Sequence, residues 1–279
     1  MRWKVTKYRL IGRGRTAEIL AWGGSRALKL YLERSRREYV RREAEVSRFV
    51  HRAGLPAPAV YDADTEDGLF EIDGRLGILY ERIDGPSMLR ELARRPWMIY
   101  PFAKAFAALH ARIHSVPGEG LPRMRERLER AIDRAEGYLS EAVRRRIRSH
   151  LDALPEEERV CHGDFHPDNI LLGGRGPIVI DWGPASAGHP LADVAWTVLL
   201  FRFADVPPGT PRAVRLISSL LRKLFLRIYL RTYFILTGRS REDLLSWLGP
   251  VAVLRLADDI PEERERLIKL INREFGGDN

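Results

Sequence analysis

His162-Gly163-Asp164-Phe165-His166-Pro167-Asp168-Asn169-Ile170-Leu171 and, past a glycine-rich turn, Ile178-Val179-Ile180-Asp181-Trp182 decide how the rest of this chain is read. Asp164 and Asn169 share one compact loop, in which Pro167 restricts the backbone of His166. Asp181 follows Asn169 by 12 residues, the length of two short strands and a turn at Gly173-Gly174-Arg175-Gly176. A hairpin of that length returns the Asn amide and the Asp carboxylate to the same end. Two oxygen donors there suit a magnesium ion. A carboxylate just upstream suits a base that orients an acceptor hydroxyl. Phosphoryl transfer from a nucleotide needs this set, with Asp164 as base and Asn169 and Asp181 as metal ligands.

Working outward, residues from about 5 to 80 alternate as a small sheet interrupted by one helix. Arg9-Leu10-Ile11 leads into Gly12-Arg13-Gly14-Arg15-Thr16-Ala17-Glu18, and a Gly23-Gly24 turn joins Ile19–Trp22 to Arg26–Tyr31. Gly12 and Gly14 lie between strands, and position 17 is Ala. Neither the dinucleotide fingerprint nor a P-loop is matched. A glycine hairpin over a nucleotide phosphate remains, its glycines permitting close approach and unusual dihedrals. Residues 35–52 switch to helical period, with Tyr39, Glu43, Val46 and Val50 on one face and Gly54 as the stop. A second hairpin is expected around Asp73-Gly74, and Glu81-Arg82-Ile83-Asp84-Gly85-Pro86 is the best candidate for a hinge.

Lys29 sits in the apolar strand Ala27-Leu28-Lys29-Leu30, where an unpaired ammonium is expensive to bury. A carboxylate and phosphate oxygens would compensate it. Glu43 is the natural carboxylate, with Glu45 the alternative on another side of the helix.

Beyond the hinge the period is mostly helical. Phe102, Phe106, Leu109 and Ile113 line a helix near 98–115, a charged pair of helices covers about 122–152, and helices resume from Pro190. Small sheet first and helices after make the class α+β, with 1–82 as a nucleotide-binding lobe and 83–279 as a lobe carrying the catalytic loop, metal site and acceptor pocket. His162 and His166 are assigned hydrogen-bonding roles, because the adjacent Asp already supplies a base. Zinc on His162, His166, Asp164 and Asp181 is disfavoured by the lack of cysteine ligands and of a His-Glu-x-x-His helix. His110 and His114 are four apart but lack that pattern and read as ordinary helix residues.

The formal charge of +9 over 279 residues points to an anionic partner, although arginine is spread through the chain beside glutamate. No 18-residue apolar run free of charge occurs, so no membrane span is expected. The basic start, Met1 to Lys7, leads into no apolar signal segment, and Cys161 is the sole cysteine. A cytoplasmic location is expected.

With these residues in view, the chain resembles the aminoglycoside phosphotransferase and choline kinase family, small-molecule kinases of protein-kinase-like fold. His162 to Asn169 resembles that family's catalytic loop, Ile180-Asp181-Trp182 its metal-binding segment, Lys29 its phosphate-binding lysine, Glu43 the helix partner, and Gly12 to Gly14 the nucleotide loop. The resemblance implies a bilobal architecture, ATP and Mg²⁺ as cofactors, and a hinge at 79–83 where Tyr80, Glu81 and Ile83 meet the adenine through backbone atoms. It also implies that Asp193 braces the catalytic loop. Arg13 and Arg15 depart from the small or polar residues common in that glycine loop.

Residues 206–241 carry eight Arg or Lys and no Asp or Glu, with Leu216, Leu220, Leu224, Ile228 and Tyr229 as an apolar face. If that charge faces the acceptor, a neutral or anionic small molecule fits better than a polycation. The expected partner is thus a small-molecule hydroxyl acceptor, with no nucleic acid and no stable membrane insertion. A protein Ser/Thr kinase and a non-catalytic nucleotide-binding regulator are the alternatives. The sequence assigns no oligomeric state.

Overall fold

The computed structural model describes residues 8–14, 16–32, 35–203 and 212–276, without the side chains of 212–215. Met1 to Lys7, Arg15, residues 206–211 and the Arg212 and Arg215 side chains, all noted above, lie outside the described residues. The chain forms two compact units, Met1–Glu91 with Pro167–Pro184, and Leu92–His166 with Ala185–Asn279.

The first unit is an antiparallel sheet with a helix. Its strands are β1 (Leu10–Arg13), β2 (Ala17–Trp22), β3 (Arg26–Tyr31), β4 (Val60–Tyr61), β5 (Phe70–Ile72) and β6 (Arg75–Glu81), with α1 (Arg37–Arg52) between β3 and β4 in the chain. The sheet order is β1-β2-β3-β6-β4, and β5 pairs with β6. Asp73 (φ 50°) and Gly74 (φ 76°) make the tight turn between β5 and β6, with both central residues left-handed as Asp-Gly favours. Period-2 alternation sets Leu28 and Leu30 against Leu20, Ile72 and Leu79. Tyr31 lies in the opposite cluster, with Val40 and Ala44 of α1. The α1 stripe buries Glu43, Val46 and Val50, whereas Tyr39, expected beside them, is 44% exposed. Gly54, at φ 75°, follows the end of α1.

From the first unit α2 (Met88–Arg94) carries the chain into the second, where α3 (Ile99–His114), α4 (Met124–Arg134) and α5 (Glu141–Ala153) precede β7 (Arg159–Cys161). The chain then rejoins the first unit as a hairpin of β8 (Ile170–Gly173) and β9 (Gly176–Val179), in which Ile170 pairs with Val179. Leu172 N donates to the Pro86 carbonyl (2.9 Å) and Val179 N to that of Pro56 (2.7 Å), fastening the hairpin there. Gly85 is required at this seam, because a Cβ would stand 2.1 Å from the Leu172 carbonyl oxygen.

The remainder is helical. After β10 (Ser186–Gly188), paired with β7, come α6 (Pro190–Phe203), α7 (Arg212–Thr237), α8 (Arg241–Leu256) and α9 (Pro261–Phe275). Helix α3 packs on α7, α6 on α8, and α8 on α9. Of the apolar face expected on α7, Tyr229 is buried and Ile228 partly so, whereas Leu216, Leu220 and Leu224 are exposed; Phe225 and Tyr233 are buried beside Tyr229. Phe106 of α3 lies 5.4 Å from the Phe225 ring and 5.0 Å from that of Tyr229. The buried aromatic side chains gain ring-edge contacts that the leucines could not make. Among the described residues, no helix is long and apolar enough to cross a membrane.

Candidate active site

Strand alternation places Lys29 on the same side of β3 as Tyr31, toward α1. Its Nζ donates to Glu43 Oε1 at 2.6 Å and to Asp181 Oδ1 at 2.8 Å. Burial alone would favour losing the proton; the charges of Glu43 and then Asp181 overcome it and hold the lysine above its ordinary value. Glu43 is 1% exposed. The Tyr80 hydroxyl donates to Glu43 Oε1 at 3.4 Å and lies 3.1 Å from Ser47 Oγ, so that phenol supports the carboxylate. Burial, followed by the Glu43 charge, pushes both the Tyr31 and Tyr80 phenols far up and keeps them neutral. Glu45 is exposed beside Arg41, 3.8 Å away, and takes no part.

The second hairpin brings Asn169 and Asp181 to one end, since Ile180 N donates to the Asn169 carbonyl at 2.9 Å. Asn169 ends a short 3-10 turn, Pro167–Asn169, that is fixed by the Ser87 hydroxyl donating to Asp168 Oδ1 at 2.5 Å. Asp181 has φ 65°, uncommon for a residue with a side chain and maintained only where the surroundings over-determine it. An amide oxygen and a carboxylate are the hard donors that magnesium takes, so these residues fit that ion.

The glycine loop is plainer than expected. Gly12 lies where the β1–β2 register shifts, and Gly14 N donates to the Ala17 carbonyl at 2.8 Å. Neither has a positive φ, and a Cβ at either would meet its nearest neighbour at 3.5 Å, an ordinary contact. Nothing inside the described fold demands glycine there. Arg13, one of the two unexpected arginines, pairs with Glu18 at 2.9 Å. In the hinge, Glu81 gives its N–H to the Ala59 carbonyl (2.8 Å) and its carboxylate to Arg175. A Cβ on Gly173 would lie 2.9 Å from Ile83 Cγ2, which puts Ile83 against the β8–β9 hairpin.

In the second unit β7 delivers the loop to α6. Asp193 accepts the His162 N–H on Oδ2 (2.5 Å) and the Gly163 N–H on Oδ1 (2.8 Å), the brace that the family resemblance implied. Gly163, at φ 78°, supplies the left-handed step that turns Asp164 out of the strand direction. The Asp164 N–H then donates to His162 Nδ1 at 3.2 Å, and His166 Nε2 lies 3.4 Å from Asp164 Oδ2. Trp196 Nε1 donates to Asp164 Oδ1 at 3.4 Å. Burial would raise this carboxyl, but the hydrogen bonds from His166 and then Trp196 bring it below the ordinary value. Asp164 is therefore ionised at neutral pH.

His110 and His114, read from sequence as ordinary, are buried and face Asp193. Their Nε2 atoms stand 3.1 and 3.2 Å from Oδ2. The hydroxyls of Tyr229 and Tyr233 stand 2.8 and 2.7 Å from the two Nδ1 atoms. The signal was present as two pairs, His110/His114 and Tyr229/Tyr233, each spaced four residues apart and thus each on one helix face.

The chain belongs to the phosphotransferase enzyme family, whose model matches residues 8–245. It is 28% identical over 184 residues to acyl-CoA dehydrogenase family member 10 of Mus musculus, covering 58% of this chain and 17% of that protein. It is 27% identical over 173 residues to the aminoglycoside 3'-phosphotransferase of Streptomyces fradiae, covering 55% of this chain and 61% of that enzyme. The chain thus spans less than two thirds of either relative. Amicoumacin kinase hAmiN, solved in complex with AMP-PNP, Ca2+ and Ami, matches with a TM-score of 0.66 at 14% identity, over 98% of this chain and 90% of that one. The fold is the α+β, protein-kinase-like one.

Proposed function

We propose that this chain is an ATP-dependent kinase that moves the γ-phosphoryl group of Mg-ATP to a hydroxyl of a small molecule. The observation that carries this reading is the Lys29 ammonium, largely buried against the sheet and held between Glu43 and Asp181. Few structural needs explain a lysine so placed, and phosphate oxygens explain it directly. In this reading residues 1–82 form the nucleotide lobe and 83–279 the acceptor lobe. Gly12 and Gly14 admit the phosphates, and the backbone at Tyr80, Glu81 and Ile83 meets the adenine. Asn169 and Asp181 would hold Mg²⁺, which offsets charge on the phosphates when bound. Asp164, ionised and oriented by His166 and Trp196, hydrogen-bonds the acceptor O–H and takes its proton late in transfer. The basic, acid-free stretch 206–241 favours a neutral or anionic acceptor. A cytoplasmic location fits this chemistry.

The test is transfer of label from γ-labelled Mg-ATP across pools of aminoglycosides, amino alcohols, sugars and nucleosides, with a generic protein as comparison. Asp164→Asn should lower turnover about 10²–10⁴-fold while leaving nucleotide affinity within about threefold. Equal loss of both would remove Asp164 from the role of base. Transfer to the protein alone would replace the small-molecule reading.

A further inference from the structure

Helix α6 touches the catalytic loop at three residues on one face. Asp193 holds the His162 and Gly163 amides, Trp196 holds the Asp164 carboxylate, and Thr197 donates its hydroxyl to the Phe165 carbonyl at 2.9 Å. Asp193 is the centre of this set, and it is fully buried. Four N–H groups converge on it: two backbone amides of the loop and the Nε2 atoms of His110 and His114.

The protonation of the rings follows from their partners. A carboxylate only accepts, so each Nε2 facing Asp193 must carry a hydrogen. In a neutral ring Nδ1 is then an acceptor, and the Tyr229 and Tyr233 hydroxyls donate to it. Both hydrogen bonds span the same sequence separation, 119 residues, so α3 and α7 meet in a fixed register at this point. The loop's own aromatic residue closes the arrangement, with the Phe165 ring 4.1 Å from that of His110 and 4.3 Å from that of Phe106.

We infer that His110 and His114 are positioning residues for Asp164: donating to Asp193, they aim its carboxylate at the His162 and Gly163 amides and so fix the loop that presents the base. Orientation is the quantity at stake. A carboxylate anchored by two side-chain donors can rotate little, and a rotated Asp193 releases one or both amides that define the turn into Asp164. The same three groups, whose ligand atoms lie within 4.8 Å of one another, have a composition that could hold a metal ion. The hydrogen-bond assignment is favoured because the loop amides already share the carboxylate and each imidazole Nδ1 has a tyrosine hydroxyl.

The kinetic part of this inference rests on the phosphotransferase reading; the structural part does not. The two are separated by comparing His110→Leu, which removes the donor, with His110→Gln, whose side-chain amide retains an N–H at similar reach. Hydrogen exchange at the His162 and Gly163 amides should quicken at least tenfold in His110→Leu and be largely restored in His110→Gln. With water as acceptor, Mg-ATP hydrolysis should show kcat lowered about tenfold or more in His110→Leu, recovered mostly in His110→Gln, and KM for ATP within about threefold throughout. Unchanged exchange at those amides in folded His110→Leu overturns the inference, as does an equal kcat loss in the Leu and Gln variants. Zinc bound stoichiometrically by purified protein and lost in His110→Gln overturns it too, since the rings would then be ligands. If His110→Leu does not fold, Tyr229→Phe deletes one oxygen from the same chain of bonds and should quicken the two amides; no change there counts against the proposal. Absence of ATP turnover in the unaltered protein would remove the kinase reading and leave the exchange result to decide the brace.

Discussion

Glu43 in the first unit and Asp193 in the second are both buried carboxylates, and the fold compensates them differently. Glu43 is matched by a formal cation, Lys29, which also reaches the 43% exposed side chain of Asp181. Asp193 is matched by neutral N–H dipoles on every side for which a partner is recorded. A cation that is shared with an exposed carboxylate can redistribute its hydrogen bonds toward an arriving anion. A carboxylate saturated by backbone and imidazole donors has no such freedom, and it can only hold a shape. Under the proposed function, charge pairing stands where the nucleotide would bind, and dipole pairing where the loop is held still.

The largest effect expected of this contrast comes from Lys29→Met. It should lower phosphoryl transfer by about 10²–10³-fold, the loss typical of one electrostatic stabiliser. It should also cost about 3–5 kcal/mol of stability, because Glu43 is left buried without its cation. Turnover retained in the folded variant would break the comparison, and urea denaturation reads the second loss independently.

A smaller effect sharpens the other side. Burial first, and His114 second, push His110 down to about 3. An unfolded histidine takes up a proton near pH 6.5, whereas the folded one stays neutral until the lower value. Its contribution is complete above about pH 6.5 and is lost as the pH falls toward 3, so stability rises with pH across that window. Between pH 7.5 and 5 the loss from this group should be about 2 kcal/mol, seen as a lower urea midpoint and reduced in His110→Gln. A flat profile would mean that the ring is already charged. The smallest effect belongs to Glu45→Ala, which should change stability by less than about 0.5 kcal/mol and leave transfer intact. A large loss there would mean that Glu45, not Glu43, serves Lys29.

Much of this contrast was legible in the chain. Helical period and strand alternation chose Glu43 over Glu45 for Lys29, and the 12-residue spacing brought Asn169 and Asp181 to one end of a hairpin. Asp73-Gly74 announced its turn because both residues tolerate a positive φ. These are local relations, within reach of pattern and loop length. The Asp193 cluster is not local: its histidines come from 83 and 79 residues away, its tyrosines from another helix. Spacing shows that His110 and His114 share a face, but not what that face meets. The same limit explains α7, where period marks Leu216, Leu220, Leu224 and Tyr229 as apolar but does not say that Tyr229 alone of these four is buried. In the glycine loop, the unusual dihedrals that glycine permits are not used at Gly12 or Gly14, neither of which has a positive φ.

The hairpin that brings Asp181 to Lys29 has a consequence for how the protein is made. The first unit is interrupted, with Met1–Glu91 translated early and Pro167–Pro184 late. At about 5–20 residues per second, its last piece leaves the ribosome roughly 5–20 s after the sheet has been synthesised. During that interval Glu43, but not Asp181, of the two carboxylates that hold the Lys29 ammonium has been made, and Pro56 and Pro86 offer carbonyls to strands that do not yet exist. The nascent sheet is therefore an unfinished body until Leu92–His166, the earlier stretch of the second unit, has also been translated, and a chain that stops anywhere before Asp181 has a sheet without the carboxylate that finishes it.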